Sequence, residues 1–506
     1  MSEALGSEPK AVSLEEIEDS LVDGDLPFRV GTARAALAQR TFRVVFFGAF
    51  ASNIGSWMQS VILAAYAYGI SHSSTFVGVV VFAGMGPQLL LSVLGGAVAD
   101  RMDRRRLLIA VSVEQMVFSA ALALVCLSPH PSKLLIVAFV AAIGIGGAAY
   151  APAYSAVLPA LVGRENLPGA ISLNSAQMNA SRVIGPAIGG IAYHLVGPSW
   201  VFAGNALTYL FVIAALASVR LPDVAPSAAG RGLRQLTAGF AAARADRVVT
   251  RSLVTVAVFS LFCLPFIGLM PVVAARDFAM SPRSAGYGVL YACFGLGALA
   301  GALSIGTVLA TVRKDRIVRV GMLGFAAAMF AFALVRTAAV AFPAVAFVGL
   351  FYFAMLTALS TAMQERLSDE VRGRVMALWI MGFGGTVALG NLIGGPVADA
   401  VGVRPLLLAG GVVALGLVAY ANVRVPEQVL SGTNGGASAL DGVHGTAHLH
   451  RTAAGRDVRP AARRRTGGRG ARVRGFLPLR PLPPHGGRRS RSGADGVVGD
   501  ARRAGA

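Results

Sequence analysis

Charged side chains are scarce in this sequence. They make up 14% of its 506 residues, whereas soluble domains carry roughly 25%. Only three lysines occur, Lys10, Lys133 and Lys314, and none follows a glycine. A nucleotide-binding P-loop needs Gly-Lys followed by Ser or Thr, so ATP-driven transport within this chain is not expected. Because 55% of the residues are hydrophobic, the composition predicts a membrane protein.

Cysteine and the common catalytic motifs are also lacking. Cys126, Cys263 and Cys293 lie in separate apolar stretches, away from histidines or cysteines at metal-ligand spacing. We expect buried free thiols, with no metal and no cofactor. Neither a Gly-x-Ser-x-Gly elbow nor a His-Glu-x-x-His motif occurs, which argues against an enzyme.

Long apolar runs are what the sequence does contain. A bilayer core about 30 Å thick needs roughly 20 apolar residues per helix. Twelve runs satisfy that length, near 44–69, 75–99, 107–127, 134–156, 170–195, 199–219, 253–275, 285–310, 317–335, 338–363, 374–400 and 405–423. The sequence therefore predicts an all-α membrane protein with twelve transmembrane helices.

The distribution of Arg and Lys predicts the orientation of these spans. With both termini in the cytoplasm, the inward loops hold eighteen Arg or Lys residues and the outward loops hold five. Positively charged loops stay in the cytoplasm, so we expect a multi-pass protein of the plasma (inner) membrane with both termini inside.

The chain divides into five predicted regions. Its longest inward connection separates six spans from six, and residues 232–251 carry apolar side chains at helical spacing with arginines between them. That pattern favours a short amphipathic helix at the membrane surface, and a solvated linker is the alternative. The regions are an acidic cytoplasmic segment 1–40, a six-helix bundle 41–220, a linker 221–252, a second bundle 253–425 and an Arg-rich cytoplasmic tail 426–506.

The tail cannot form a core, because it is rich in Gly, Ala, Pro and Arg, and we expect it to be disordered. His444, His448 and His450 have metal-like spacing but no folded context, so no metal site is predicted there. The tail could touch anionic lipid or nucleic acid loosely, or it could be dispensable. We predict no specific nucleic-acid partner.

The two bundles carry an internal repeat. At a constant offset of 205, residues 163–197 match residues 368–402, including Ile-Gly-Gly at 188–190 with 393–395 and Val-Gly at 196–197 with 401–402. A weaker match at an offset of 211 relates 82–86 to 293–297. Parallel repeats of this kind are typical of transporter halves, so we expect two pseudo-symmetric six-helix bundles.

Twelve spans in two halves, a Gly-x-x-x-Asp-Arg-x-x-Arg-Arg loop after the second span and Gly-Pro-x-x-Gly-Gly in the fifth resemble the major facilitator superfamily. The DRMDRRR and RVIGPAIGG stretches resemble its twelve-span drug and siderophore exporters, including enterobactin exporters and macrolide efflux pumps. The resemblance covers about residues 41–425 and implies the major facilitator fold.

The resemblance implies a conformational latch at the loop after the second span. In this family the acid of the loop contacts the start of the eleventh span, where a helix N-terminus carries about half a positive charge. The predicted latch residues are Gly96, Asp100, Arg101, Arg104, Arg105, Arg372 and Arg374. The alternative for Arg104 and Arg105 is that they only orient the membrane topology.

The fifth span carries an arginine beside a glycine-rich stretch. Arg182, Gly185, Pro186, Gly189 and Gly190 resemble the antiporter motif of exporters, although Ser181 replaces an expected glycine. Ordinary small-residue packing would explain the glycines but not the arginine. A charge at this depth needs a partner or water, and Glu114 of the third span is the acid that could pair with it.

Proton coupling and a substrate cavity are also predicted. Glu114 and Asp399 are the acids that could titrate during transport, although Asp399 is equally a plain helix-end residue. In the superfamily the first, fourth, seventh and tenth spans line the cavity. Here they offer Asn53, Trp57, Gln59, Tyr150, Tyr154, Phe262 and Tyr352.

These features together predict proton-coupled efflux of a small amphiphilic compound, such as a drug, antibiotic or siderophore, by alternating access. The expected partners are the substrate, protons and the lipid bilayer, and the expected state is a monomer. An importer or uniporter of the same fold is one alternative, and a non-transporting receptor or scaffold is another.

Overall fold

The computed structural model describes residues 30–99, 102–219 and 232–421. The part of the chain that it describes is nearly all helical and contains no strand. The predicted latch residues Asp100 and Arg101 lie outside this part, as do the tail and most of the acidic N-terminal segment. The predicted all-α architecture is confirmed.

Twelve helical stretches correspond one to one with the predicted spans. In chain order they are α1 Arg40–Ser71, α2 Ser74–Ala99, α3 Arg104–Val125, α4 and α5 within Lys133–Val196, α6 Pro198–Ser218, α7 Arg247–Cys263 with Pro265–Gly268 and Met270–Phe278, α8 Ala285–Gly306, α9 Lys314–Leu334, α10 Ala338–Gln364, α11 Asp369–Ile380 with Met381–Gly385 and Thr386–Val401, and α12 Val403–Tyr420. Among the described residues, nine helical stretches are long and apolar enough to cross a membrane, and the one at Lys133–Val196 contains both α4 and α5.

Three of these stretches are interrupted where the sequence requires it. Gly163 separates α4 from α5 with a φ of 73°, a backbone conformation that favours glycine. In α7 two short breaks precede helices that carry a proline in the first turn, at Pro265 and Pro271, where the missing N–H costs nothing. In α11 the glycine-rich segment Met381–Gly385 forms a π-helical turn.

Backbone geometry reproduces the internal repeat. Gly197 and Gly402, which the offset of 205 pairs, have φ values of 86° and 88° and each precedes the last helix of its half. At the offset of 211, Ser73 Oγ accepts from Phe76 N, and Ser284 Oγ accepts from Tyr287 N. These matched turns support the parallel duplication that the sequence suggests.

Each half is held together by close helix approaches at glycine. A Cβ on Gly144 of α4 would lie 2.5 Å from the carbonyl oxygen of Gly84 in α2, so the two backbones touch. In the second half Gly349 of α10 lies even closer to the carbonyl of Phe294 in α8. Because lipid provides no hydrophobic drive between helices, such close packing is what holds the halves together.

The helix bundle has two ends, which we name by their chemistry. The basic end carries the start of α3 at Arg104 and the start of α11 at Asp369. The far end carries the start of α2 at Ser74 and the glycine turns at Gly197 and Gly402.

The segment before α1 is partly ordered, which the sequence did not predict. A short helix, Ala33–Ala38, lies against the turn between α4 and α5. Gly31 N donates to Asn166 Oδ1 at 3.0 Å, and Gln39 Nε2 donates to the carbonyl of Val162 at 2.8 Å.

A helix over Gly232–Ala245 lies in the predicted linker. Phe240 is 51% exposed, whereas Gly239 lies against the Arg374 carbonyl and Leu378 of α11. Asp246 then caps α7 by accepting from Val248 N at 2.6 Å. The seventh span therefore begins at Arg247, six residues before the predicted start.

Candidate transport site and far-end closure

Arg182 lies near the middle of α5, at the seam between the halves. Its guanidinium carbon is 5.2 Å from the ring centroid of Trp57 in α1 and 4.9 Å from that of Phe353 in α10. Its Nη1 donates to Asn179 Oδ1 at 3.3 Å, and its buried Nε has no hydrogen-bond partner among the described residues. Cation–π contacts from both halves therefore surround a charge at membrane depth.

The pair between Glu114 and Arg182 that the sequence allowed is not formed. Glu114 is half-buried in α3, and its carboxylate lies directly against Gly146 of α4. Its Oε2 has no hydrogen-bond partner within the described part of the chain. The sequence places both charges at similar depth, but helix rotation points them toward different neighbours.

A polar face of α5 leads toward Arg182. Ser172, Ser175 and Asn179 follow one another at helical spacing, and the two serines are exposed while Asn179 is half-buried. Asn179 Nδ2 donates to the carbonyl of Ser175 at 3.0 Å and its Oδ1 accepts from Arg182. Polar side chains on a spanning helix face a water-filled cavity or the bundle interior, not lipid. The sequence analysis did not predict this face, although its spacing of three and four residues is visible in the sequence.

The glycines beside Arg182 pack α5 against both halves. Gly185 lies against the Ile54 carbonyl of α1, where a Cβ would approach to 2.7 Å, and Pro186 beside it is buried. Gly189 lies against Met58, also of α1. Gly190 faces the opposite way and meets Gly288 of α8, where a Cβ on Gly288 would lie 2.7 Å from Cα of Gly190. The motif thus joins helix packing within one half to a contact across the seam.

Two of the predicted cavity residues on α1 share a face, and the third does not. Asn53 and Trp57 are half-buried, one turn apart. Gln59 is only 5% exposed, and its Oε1 accepts from Asn205 Nδ2 of α6 at 2.9 Å. Gln59 is therefore a packing residue inside the first half, because a buried amide needs hydrogen-bond partners.

The predicted aromatic cavity residues are mostly packed in this structure. Tyr150 and Tyr154 of α4 stack at 5.9 Å, and Tyr154 is 7% exposed. Tyr352 of α10 is 2% exposed, and its ring lies 4.5 Å from that of Phe353. Phe262 differs, because it is 50% exposed and makes no ring contact in the described part of the chain.

Asp399 lies at the far end, where it links the two halves. Its carboxylate accepts from Ser74 N and Thr75 N at 2.9 Å each, and from the hydroxyls of Ser73 and Thr75. Arg276 of α7 donates to the same carboxylate at 3.0 Å and to Tyr68 Oη of α1 at 3.2 Å. We call this set, Tyr68, Ser73, Ser74, Thr75, Arg276 and Asp399, the Asp399 clasp. It caps the N-terminus of α2 with an acid from α11, which satisfies N–H groups that a helix leaves unpaired.

At the basic end, Arg104 and Arg105 bind within their own half. Arg105 at the start of α3 donates through Nε to the Leu216 carbonyl at 2.7 Å and through Nη2 to Ala217. Arg104 Nη1 donates to the Ala156 carbonyl of α4 at 3.2 Å. These contacts lie within the first half, because carbonyls at the C-terminus of α6 attract cations. The part of Arg104 and Arg105 in a latch across the seam stays a prediction.

The remaining latch residues lie near the start of α11 or at the end of α2. Arg372 Nη2 donates to the Leu367 carbonyl at 3.1 Å, and the Arg374 carbonyl contacts Gly239 of the linker helix. Gly96 lies within α2. The role of Asp103, which the sequence left open, is an N-cap: its Oδ1 accepts from Arg105 N at 2.8 Å.

Known proteins resemble this chain in sequence and in fold. A family model described as "Transmembrane secretion effector" matches residues 31–434. The enterobactin exporter EntS of Salmonella choleraesuis is 29% identical over 357 residues, which cover 67% of this chain and 81% of that protein. EntS of Escherichia coli O1:K1 is 28% identical over 355 residues, which cover 67% and 80%.

Solved structures confirm the architecture. The nucleoside transporter NupG superposes with a TM-score of 0.63 at 10% identity, covering 76% of this chain and 99% of that one. A bacterial homolog of the human lysosomal transporter Spinster, solved in an inward-facing and unoccupied conformation, gives 0.61 at 14% identity, covering 76% and 97%. At these identities the likeness concerns the fold alone.

Proposed function

Because the chain belongs to the transmembrane secretion effector family of the major facilitator superfamily, we propose that it exports a small amphiphilic compound by proton-coupled alternating access. The chain is a multi-pass membrane transporter and not an enzyme. The proposal concerns the direction of transport, its coupling to protons and the mechanism.

The observation that carries the proposal is a closed seam at the far end. Asp399 and Arg276 join α11 and α7 to the first half, and Gly190 meets Gly288 where α5 crosses α8. The polar face of α5 runs from the basic end to Arg182, half-way through the bundle. A transporter closed at one end, with a polar approach from the other, has the form of one state of an alternating-access cycle.

Orientation follows from charge. The basic end holds the Arg-rich loops, and such loops stay in the cytoplasm. We therefore propose that the closed far end faces the outside and that both termini lie in the cytoplasm of a cell bounded by the plasma (inner) membrane. Substrate would enter from the cytoplasm, which suits an exporter, as do the enterobactin exporters that the chain resembles.

Glu114 is the better of the two proposed proton carriers. It lies within a membrane-spanning helix, and its Oε2 has no hydrogen-bond partner among the described residues. Asp399 instead accepts several hydrogen bonds and forms an ion pair with Arg276, and these contacts hold the clasp together. Conversely, a carboxylate without fixed partners can gain and lose a proton with little rearrangement.

The latch at Asp100 remains a prediction for the opposite half of the cycle. Its contact with the start of α11 would form when the basic end closes and would oppose the Asp399 clasp. Replacing Asp100 with Asn should reduce transport while the protein still inserts into the membrane. Normal transport by a well-expressed Asp100→Asn protein would rule the latch out.

The proposed function is tested by accumulation of dyes and antibiotics in cells with and without the gene. Cells that express the protein should retain less of at least one compound, and a protonophore should abolish the difference. Glu114→Gln should abolish the difference in retention, as the protonophore does. Adding Gln115→Glu to this variant moves the acid by one residue and tests whether export depends on the position of the acid. Export that persists after collapse of the proton gradient contradicts proton coupling.

A further inference from the structure

We propose that Arg182 binds the anionic group of an aromatic substrate, so that the transported compound is an amphiphilic acid. This inference rests on the proposed function and narrows its substrate class. It is carried by the partners of Arg182 and by the position of Arg182 between the two halves.

The first step concerns charge balance. A cation at membrane depth is costly, about 2.5–3.5 kcal/mol on insertion scales, and proteins usually pair it with an acid. Arg182 forms no ion pair with any acid of the described residues. Its side chain is half-buried, Glu114 does not neutralise it, and its Nε remains without a hydrogen-bond partner among the described residues. A carboxylate or phenolate of the substrate would complete both the charge and the hydrogen bonding.

The second step concerns shape. A guanidinium group presents a planar fork of donors that matches a planar anion. The ring centroids of Trp57 and Phe353 lie 5.2 Å and 4.9 Å from its guanidinium carbon. Aromatic side chains around a single charged group are typical of sites for small ligands that combine a flat apolar body with one polar anchor.

The third step concerns the transport cycle. Trp57 belongs to α1 of the first half, whereas Phe353 belongs to α10 of the second. A ligand held between them contacts both halves at once and senses their relative movement. Arg182 also joins this site to the antiporter-like glycines, because Gly190 lies two turns away at the crossing with α8.

The decisive experiment compares two probes of the same shape, 2-naphthoate and its neutral analogue 2-naphthamide, on purified full-length protein in lipid nanodiscs. Binding is measured by quenching of tryptophan fluorescence and by calorimetry. Wild type should bind naphthoate at least tenfold more tightly than naphthamide. Arg182→Gln should reduce the preference to less than twofold, and Arg182→Lys should retain part of it.

Arg404→Gln is the matched control, because Arg404 forms an ion pair with Asp277 within the second half. It should leave the preference unchanged. Equal binding of the two probes by wild type, or an undiminished preference in Arg182→Gln, would overturn the inference.

A second measurement does not depend on any variant. Photolabelling of wild type with 4-azidobenzoate should modify peptides that contain Trp57, Arg182 or Phe353, and excess naphthoate should suppress the labelling. Labelling confined to other regions overturns the site. Export of only neutral or cationic compounds would refute the substrate class, while the proposed export stands. Anion binding at Arg182 without any export would refute the proposed export, while the binding site stands.

Discussion

Two helix crossings close the far end, and the internal repeat makes them equivalents. In one, Gly190 of α5 meets Gly288 of α8; in the other, Gly395 of α11 meets the Ser74 carbonyl of α2, where a Cβ would approach to 2.6 Å. Their side chains differ. In the repeat, His194 occupies the position equivalent to Asp399. His194 Nδ1 makes a single 3.3 Å contact with the Arg283 carbonyl, whereas the Asp399 carboxylate accepts the hydrogen bonds of the clasp.

The difference shows how a duplicated fold becomes an asymmetric gate. Backbone contact at glycine is common to both crossings, because small residues let helices approach closely. Charge was added to one crossing only, so α2 and α11 are joined by polar bonds that must break together. We infer that the glycine crossing sets whether the far end can close, and that the clasp sets how long it stays closed.

The largest effect should come from Gly190→Ala. The new methyl group would occupy the space of the Gly288 backbone, and overpacking of this kind costs about 1–3 kcal/mol. The ratio of closed to open molecules should fall roughly five- to 140-fold, since each 1.4 kcal/mol is about a factor of ten. Reaction of a cysteine at the far end with a membrane-impermeant reagent measures this ratio, and export should fall in parallel.

Gly416→Ala is the control for that substitution, because nothing lies within 4 Å of a Cβ at Gly416. It should change neither the labelling nor the export. Wild-type labelling in Gly190→Ala would show that the glycine contact is not needed for closure.

A smaller shift is expected from Asp399→Ala. The substitution removes the cap of α2 and the ion pair with Arg276, whose side chains are about one-third exposed. A cap typically contributes about 1 kcal/mol and a surface ion pair about 0.2–1 kcal/mol, so the ratio of closed to open molecules should fall roughly eight- to thirtyfold. The same cysteine-labelling assay measures it.

Asp277→Asn provides the comparison, because Asp277 pairs with Arg404 inside the second half at 3.1 Å. It should cost some stability without altering far-end labelling. If both substitutions change labelling equally, the clasp has no special role at the seam.

Arg105→Gln should affect stability more than conformation. Arg105 binds carbonyls of α6 within the first half, and a lost charge-assisted hydrogen bond costs about 1.5–3 kcal/mol. We expect a lower melting temperature in detergent, with unchanged far-end labelling per folded molecule. Arg106→Gln, whose side chain is 85% exposed, should leave the melting temperature unchanged. A change in the ratio of closed to open molecules in Arg105→Gln would support a role for this arginine in the predicted latch.

The smallest effect should come from His194→Ala, which removes one long contact at an exposed side chain. Export and labelling should stay within about twofold of wild type, since one surface contact contributes little to stability. An effect as large as that of Asp399→Ala would mean that the two crossings are chemically equivalent after all.

The sequence predicted the architecture because spans, repeat and turns are local. Twenty apolar residues define a helix wherever it packs, and Gly197 and Gly402 mark matched turns by their type alone. Rotation of one helix against another is not local, so the sequence does not show which neighbour each side chain meets. Gln59 accepts a hydrogen bond from Asn205, Glu114 lies against Gly146, and Arg105 donates to a carbonyl near the end of α6.

Arg276 illustrates the same limit. From the sequence it was one of five positive residues in outward loops, useful only for orientation. Its task depends on Asp399 and Tyr68, which are 123 and 208 residues away along the chain. No periodicity or spacing carries that information, whereas the polar face of α5 could have been found from its helical spacing.

The most direct test of this account is a distance measurement across the far end by pulsed electron paramagnetic resonance. Spin labels at exposed positions, His130→Cys after α3 and Arg336→Cys after α9, report on the two halves once the native cysteines are replaced. Wild type should show a dominant short distance and a minor longer one, and Gly190→Ala should make the longer distance dominant. One distance, identical in wild type and in Gly190→Ala, would contradict a far-end gate closed by these crossings.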